Sequence, residues 1–291
     1  MNVTSLSRDK YLKYILLIPA CSLLLLFILL PIFYSVRLSF FKWFLGAPQK
    51  TFIGIRNYIE AFNDPLFWTS FKNSLIFTFV TVFFEMTLGL AIALLFSRDF
   101  IGSRIARALI LLPMMVAPVV VGFMFLIIFH GGYGIFNYIF SSVGIIQEHI
   151  SWLGNPKFAL PSLILAEVWQ RTPFVILVSL AGIKALPEEP YEAAVVDGAS
   201  RFQIFRYITL PLLKNVLFIA LTIRTIISLR VFAKVYTLTG GGPGSSTYVL
   251  NLLGYKTGLE QFQMGYSASI VVIIFVVTMV FTVPIMRRAH F

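Results

Sequence analysis

The chain has 291 residues, 58% hydrophobic and only 12% charged, whereas soluble domains run at roughly 45–50% apolar and about 25% charged. That composition excludes a water-soluble globule, which could not hide so much apolar surface. The net charge of +11 is carried in short basic clusters between long apolar runs, a pattern that suits anionic lipid headgroups better than nucleic acid.

In chain order, six stretches reach the ~20 apolar residues that a transmembrane helix requires. They cover approximately residues 14–36, 71–96, 108–129, 158–183, 215–238 and 265–286. The expected fold class is all-α, a single polytopic membrane domain over residues 1–291. The first stretch follows Arg8, Lys10 and Lys13. It is too long for the apolar region of a signal peptide and lacks a small-residue cleavage site, so it should remain as an anchor. Cys21, the single cysteine, lies within it and is read as membrane-buried and unmodified; it excludes an internal disulfide. With His130, His149 and His290 as the only histidines, no zinc-ligand spacing exists and no metal is expected.

The outer connection at about residues 38–69 contains Trp43, Tyr58 and Trp68, which suit a membrane–water interface. If the N-terminus is cytoplasmic, the inside segments hold Arg98, Arg104, Arg107, Lys184, Arg201, Arg206, Lys214, Arg287 and Arg288, and the outside segments fewer basic residues. Both termini should therefore face the cytoplasm.

Ionisable residues inside spans are costly and point to function. Glu85 falls in the second span, Glu167 and Arg171 four apart in the fourth, and Arg224 midway along the fifth. One reading lines a translocation pathway with Glu85, Trp169, Gln170, Arg171 and Arg224, since sugars are bound by planar polar groups and aromatic faces. The other makes these charges interhelical ion pairs, and favours that role for Glu167. Arg230 and Lys234, nearer the end of the fifth span, are expected to snorkel. If both Arg171 and Arg224 face the pathway, their charge suits an acidic saccharide such as a uronate oligomer.

The last outer connection, about residues 239–264, opens with Thr239-Gly240-Gly241-Gly242-Pro243-Gly244, which must be a turn or loop. Composition alone reads it as a flexible connector. Gly254-Tyr255-Lys256-Thr257 lacks both the glycine beside the lysine and the preceding phosphate-cradling loop of a Walker A motif. This chain is not expected to bind ATP or any other cofactor.

Between the fourth and fifth spans, about residues 186–211, the sequence spells helix–turn–helix. Pro190 suits a first helical turn, Glu188, Glu189 and Glu192 favour the positive end of the helix dipole, and Gly198 supplies a left-handed stop. Ser200 can cap a second helix, which Pro211 is expected to break before the next span. Glu192-Ala193-Ala194, then Gly198, then Ile208-Thr209-Leu210-Pro211 matches each fixed position of a loop signature. The segment resembles that of permease subunits in binding-protein-dependent ABC importers. Ile183-Lys184-Ala185-Leu186-Pro187, Asp197 and the run Leu238–Thr247 are similar to the carbohydrate branch of that family, the maltose-permease-like inner membrane subunits.

The resemblance implies the type I ABC importer permease fold, a conformational gate without catalytic residues. It implies that Glu192, Ala193, Ala194, Asp197, Gly198 and Ala199 form a coupling helix on a cytoplasmic ATPase. It also implies a second related permease, two ATPase subunits that hold ATP and magnesium, and an extracytoplasmic solute-binding protein that Gly241, Gly242 and Pro243 are candidates to contact. The location implied is the cytoplasmic (inner) membrane of a bacterium or archaeon. An ion-coupled secondary transporter is the alternative; Glu85 and Glu167 fit its ion sites loosely, but the sequence shows no inverted repeat. A membrane-embedded enzyme is weaker still, because His130 and His149 lie outside the spans.

Overall fold

The computed structural model describes residues 16–97 and 100–288. Among these residues, five helices are long and apolar enough to cross a membrane, and a bent pair supplies a sixth candidate. The first is α1, Leu16–Leu38; no part of its most apolar stretch is buried within this chain. A hairpin of β1 (Phe41–Lys42) and β2 (Thr51–Phe52) follows, with Phe41 opposite Phe52, then α2 (Arg56–Asn63) and α3 (Pro65–Phe96). The second span thus starts six residues earlier than its hydropathy suggests. Asp64 caps it, accepting from the Leu66 amide at 2.8 Å, and Pro65 occupies the first turn.

The third span is broken. α4 (Ser103–Met115) and α5 (Pro118–Ile128) meet at 97°. Pro118 has no amide hydrogen to continue the ladder, and it forces Ala117 into extended backbone. After α6 (Ile135–Ser142) comes α7, Pro156–Lys184, and then α8, Glu189–Val196. Pro211 does not break the next helix as expected: α9 runs from Arg201 to Leu229. A wide turn at Phe205–Thr209, where the Leu210 amide reaches the Phe205 carbonyl, takes the strain that a proline ring otherwise places on the preceding turn. The fifth span ends at Leu229 rather than near 238, and α10 (Ala233–Leu238) is a separate short helix. α11 (Leu250–Tyr255) and the last span, α12 (Met264–Arg288), complete the order.

The chain divides into two compact units. The first runs to Asn63 and includes Gly254–Ile273. In it, Asn57 donates to the carbonyls of Ser39 (2.7 Å) and Phe41 (3.0 Å), and Tyr58 meets Ser39 at 2.6 Å, so α2 is fastened to the end of α1. Lys50 sits 4.0 Å above the Trp43 ring and donates to Tyr34. The second unit holds Asp64–Leu253 and the chain from Ile274. Its core joins Phe77 of α3, Val121 and Phe125 of α5, Leu163 and Ala166 of α7, and Val235 and Leu238 of α10. α3 and α7 pack closely because Gly89 has no side chain: a Cβ there would lie 2.6 Å from the Val175 Cβ.

Candidate functional site

Four helices of the second unit each send one charged side chain to a common buried point. Glu85 of α3 is 0% exposed and Arg224 of α9 1%. The guanidinium of Arg224 holds Glu85 with two bonds, Nε to Oε2 at 2.6 Å and Nη2 to Oε1 at 2.8 Å. The same Nη2 donates to Glu167 Oε1 of α7 at 3.0 Å, and Lys234 of α10 donates to Glu167 Oε2. Two carboxylates and two cations cancel, and every carboxylate oxygen is engaged. One turn along, Thr81 of α3 and Ser228 of α9 share a hydrogen bond of 2.8 Å. In a medium without water such charges are tolerated only when paired in this way.

The placement of Lys234 corrects one expectation. It does not snorkel; it is 2% exposed and bound to Glu167. The physical reason is the end of α9 at Leu229: the chain turns, and α10 packs on α5 and α7 instead of continuing outward. No sequence signal announces this pairing, because Glu85 and Glu167 are already matched in number by Arg171 and Arg224 within the spans.

Of the other pathway candidates, Gln170 is fully buried and donates to the Val116 carbonyl, which the break between α4 and α5 leaves unpaired. Trp169 is 39% exposed, its ring edge-on to Phe125 at 5.5 Å. The Arg171 side chain is 25% exposed, with Nε 3.8 Å from Glu167 Oε1. Residues 169 and 171 lie roughly 200° apart around a helix, so Trp169 and Arg171 point to different surroundings. The structure brings Glu85, Arg224, Glu167 and Lys234 together, with Arg171 at the margin.

The loop between α7 and α9 is a rigid elbow. Gly198 takes φ +72°, its amide reaches the Val195 carbonyl and the Ala199 amide reaches Ala194, the two bonds of a Schellman stop. Ser200 and Gln203 then form a reciprocal capping box at the start of α9. Glu192, Ala193, Asp197 and Gly198 are exposed, Ala199 is half-buried, and Ala194 packs inward. Val195 and Val196 (87% exposed) and Phe202 add an apolar surface here that the motif alone did not single out. These three exposed apolar side chains stand beside the carboxylates of Glu192 and Asp197 in the sequence.

The glycine-rich segment is a turn, as its composition requires, but it is pinned rather than loose. Thr247 bonds Thr239 (2.7 Å) and the Gly242 carbonyl (2.8 Å), while Asn73 of α3 donates to the carbonyls of Ser245 and Tyr248. Gly241 is buried, Gly242 and Pro243 half-buried. At Gly241, with φ +97°, a Cβ would lie 2.5 Å from the Tyr248 ring and 2.8 Å from Leu252. Gly241→Ala should therefore destabilise the fold by about 1–3 kcal/mol through overpacking, seen as a lower melting temperature in detergent. Gly244→Ala, whose Cβ position is open, should shift it less.

Residues 85–290 match the family model described as "Binding-protein-dependent transport system inner membrane component". A trehalose/maltose transport system permease protein, MalF, of Thermococcus litoralis is 38% identical over 98% of this chain and 95% of its own length. A sulfoquinovosyl glycerol transport system permease protein, SmoG, of Agrobacterium fabrum is 36% identical over 96% and 90%. Among solved structures, a bacterial ABC transporter involved in import of the acidic polysaccharide alginate superposes with a TM-score of 0.84 at 23% identity, over 98% of this chain and 97% of that one. This likeness shows the shared fold, that of type I ABC importer permeases. The chain belongs to the family of inner membrane components of binding-protein-dependent transport systems and is an ABC importer permease.

Proposed function

We propose that this permease forms one half of the pore of an ATP-driven importer for a sugar or oligosaccharide, with a second related permease, two cytoplasmic ATPases and an extracytoplasmic binding protein. The observation that carries the reading is the exposed elbow of α8, Gly198 and Ser200 at the start of α9. An ATPase seated on Glu192, Ala193, Asp197 and Gly198, with Ala194 and Ala199 supporting them, pushes on a continuous helix that carries Arg224. Through Arg224 the push reaches α3, α7 and α10 together, so the elements around the network move as one body. ATP and magnesium belong to the partner subunits; this chain is the gate. Both termini are assigned to the cytoplasm, which puts the elbow on the ATPase side and the Gly241–Pro243 turn on the side of the binding protein.

A sugar substrate is supported by the relatives named for trehalose/maltose and sulfoquinovosyl glycerol transport. Any preference for an acidic saccharide rests on Arg171, because Arg224 is neutralised by two carboxylates. The ion-coupled alternative finds no support, since Glu85 and Glu167 have no free oxygen to offer an ion.

The deciding experiment is purification of the tagged chain from its native membrane, expected to recover an ATPase and a second permease, followed by uptake in vesicles. Arg171→Gln should reduce uptake of uronate oligomers at least tenfold relative to neutral oligosaccharides. Recovery of the chain alone would overturn the assembly, and equal loss for both sugar classes would overturn the charge preference.

A further inference from the structure

Three membrane spans end on the same side of the second unit: α3 and α7 at their C-termini and α9 at its N-terminus. Between these ends and α8 lies a cavity of about 750 Å³, within the range of pockets that hold small molecules. Its wall is mixed. Leu94 of α3, Ile183 of α7 and Phe205 of α9 supply apolar surface, and Lys184, Arg201 and Glu188 supply charge. Among the described residues neither Lys184 nor Arg201 has an ion-pair partner. Two cations against one carboxylate leave one surplus positive charge.

The depth of the cavity limits what can fill it. It sits where the apolar parts of three spans give way to their polar ends, the level of lipid headgroups. Its apolar wall is made of residues of the three spans. A ligand with one negative charge and a hydrocarbon tail cancels the surplus and covers the wall; a free inorganic anion does only the first. We propose that this cavity binds an anionic phospholipid, its phosphate on Lys184 and Arg201 and its first acyl carbons against Leu94, Ile183 and Phe205.

The bound lipid has a mechanical consequence. Lys184 is the last residue of α7 and Arg201 the first of α9, so one phosphate bridges the two helices that α8 connects. The lipid stiffens the elbow through which an ATPase stroke enters the membrane. The inference requires only that the chain spans a membrane, and its test does not depend on sugar transport.

The test uses the tagged chain purified from native membranes, with whatever subunits accompany it, and exchanged into nanodiscs of phosphatidylcholine, with or without phosphatidylglycerol. Native mass spectrometry then counts retained lipids. Wild type should retain phosphatidylglycerol in preference to phosphatidylcholine, and Lys184→Gln with Arg201→Gln should lower that retention about tenfold. Arg206→Gln, which removes an exposed cation outside the cavity lining, should leave it unchanged. Melting temperatures of all variants should match wild type. Equal retention by the double variant, or an equal loss with Arg206→Gln, would overturn a defined site. Displacement of the lipid by inorganic phosphate at concentrations matching short-chain phosphatidylglycerol would overturn the lipid as occupant and leave a simple anion site.

Discussion

Replacing Arg224 with methionine should collapse the stability of the permease, and replacing Glu85 with glutamine in the same chain should restore much of it. Methionine fills most of the arginine's volume but leaves Glu85 buried with no cation, because Lys234 is engaged by Glu167. Removing one partner of a buried pair costs about 3–5 kcal/mol, largely from the charge left behind. Glu85→Gln removes that charge, so the double variant returns to one carboxylate and one cation. The expected order of melting temperature and of monodisperse yield is wild type, then the double variant, then Arg224→Met well below both. The pair of variants also separates the two roles open to Arg224. A pathway arginine predicts that Arg224→Met melts like wild type while transport fails. A structural arginine predicts loss of fold with partial rescue, and the coupling between the two changes measures the pair.

Much of this arrangement was legible in the sequence. Apolar length located the spans, because lipid demands helices with all backbone groups satisfied, and the elbow was readable because Gly198 and Ser200 act within a few residues of themselves. Asp64-Pro65 carried a cap signal that hydropathy overrode. The fate of Lys234 was not legible: it depended on where α9 stops, and Leu229 to Phe232 contains neither glycine nor proline to announce it. Whether Glu85, Glu167 and Arg224 met one another was equally closed to the sequence, since Glu85 and Arg224 are 139 positions apart. The order in the glycine-rich turn was hidden for the same reason, as Asn73 on another helix pins it. Local chemistry was readable, and long-range pairing was not.

Gly198 offers the second large effect. A Cβ built there meets nothing within 4 Å, so within this chain the only cost of a side chain is the left-handed backbone, about 1–2 kcal/mol. Asparagine tolerates that conformation and tryptophan does not, and tryptophan also projects bulk from an exposed turn between Asp197 and Ala199. Gly198→Asn should keep the fold and most of the recovered ATPase. Gly198→Trp should lower ATPase recovery and transport at least tenfold while α9, capped independently by Ser200 and Gln203, stays folded. Co-purification together with the melting temperature separates the causes. Loss of ATPase at an unchanged melting temperature means that the space over Gly198 is occupied by the partner. Loss accompanied by melting in both variants assigns the glycine to the turn alone. Full recovery with tryptophan moves the docking surface away from Gly198, to the apolar part of the elbow at Val195, Val196 and Phe202.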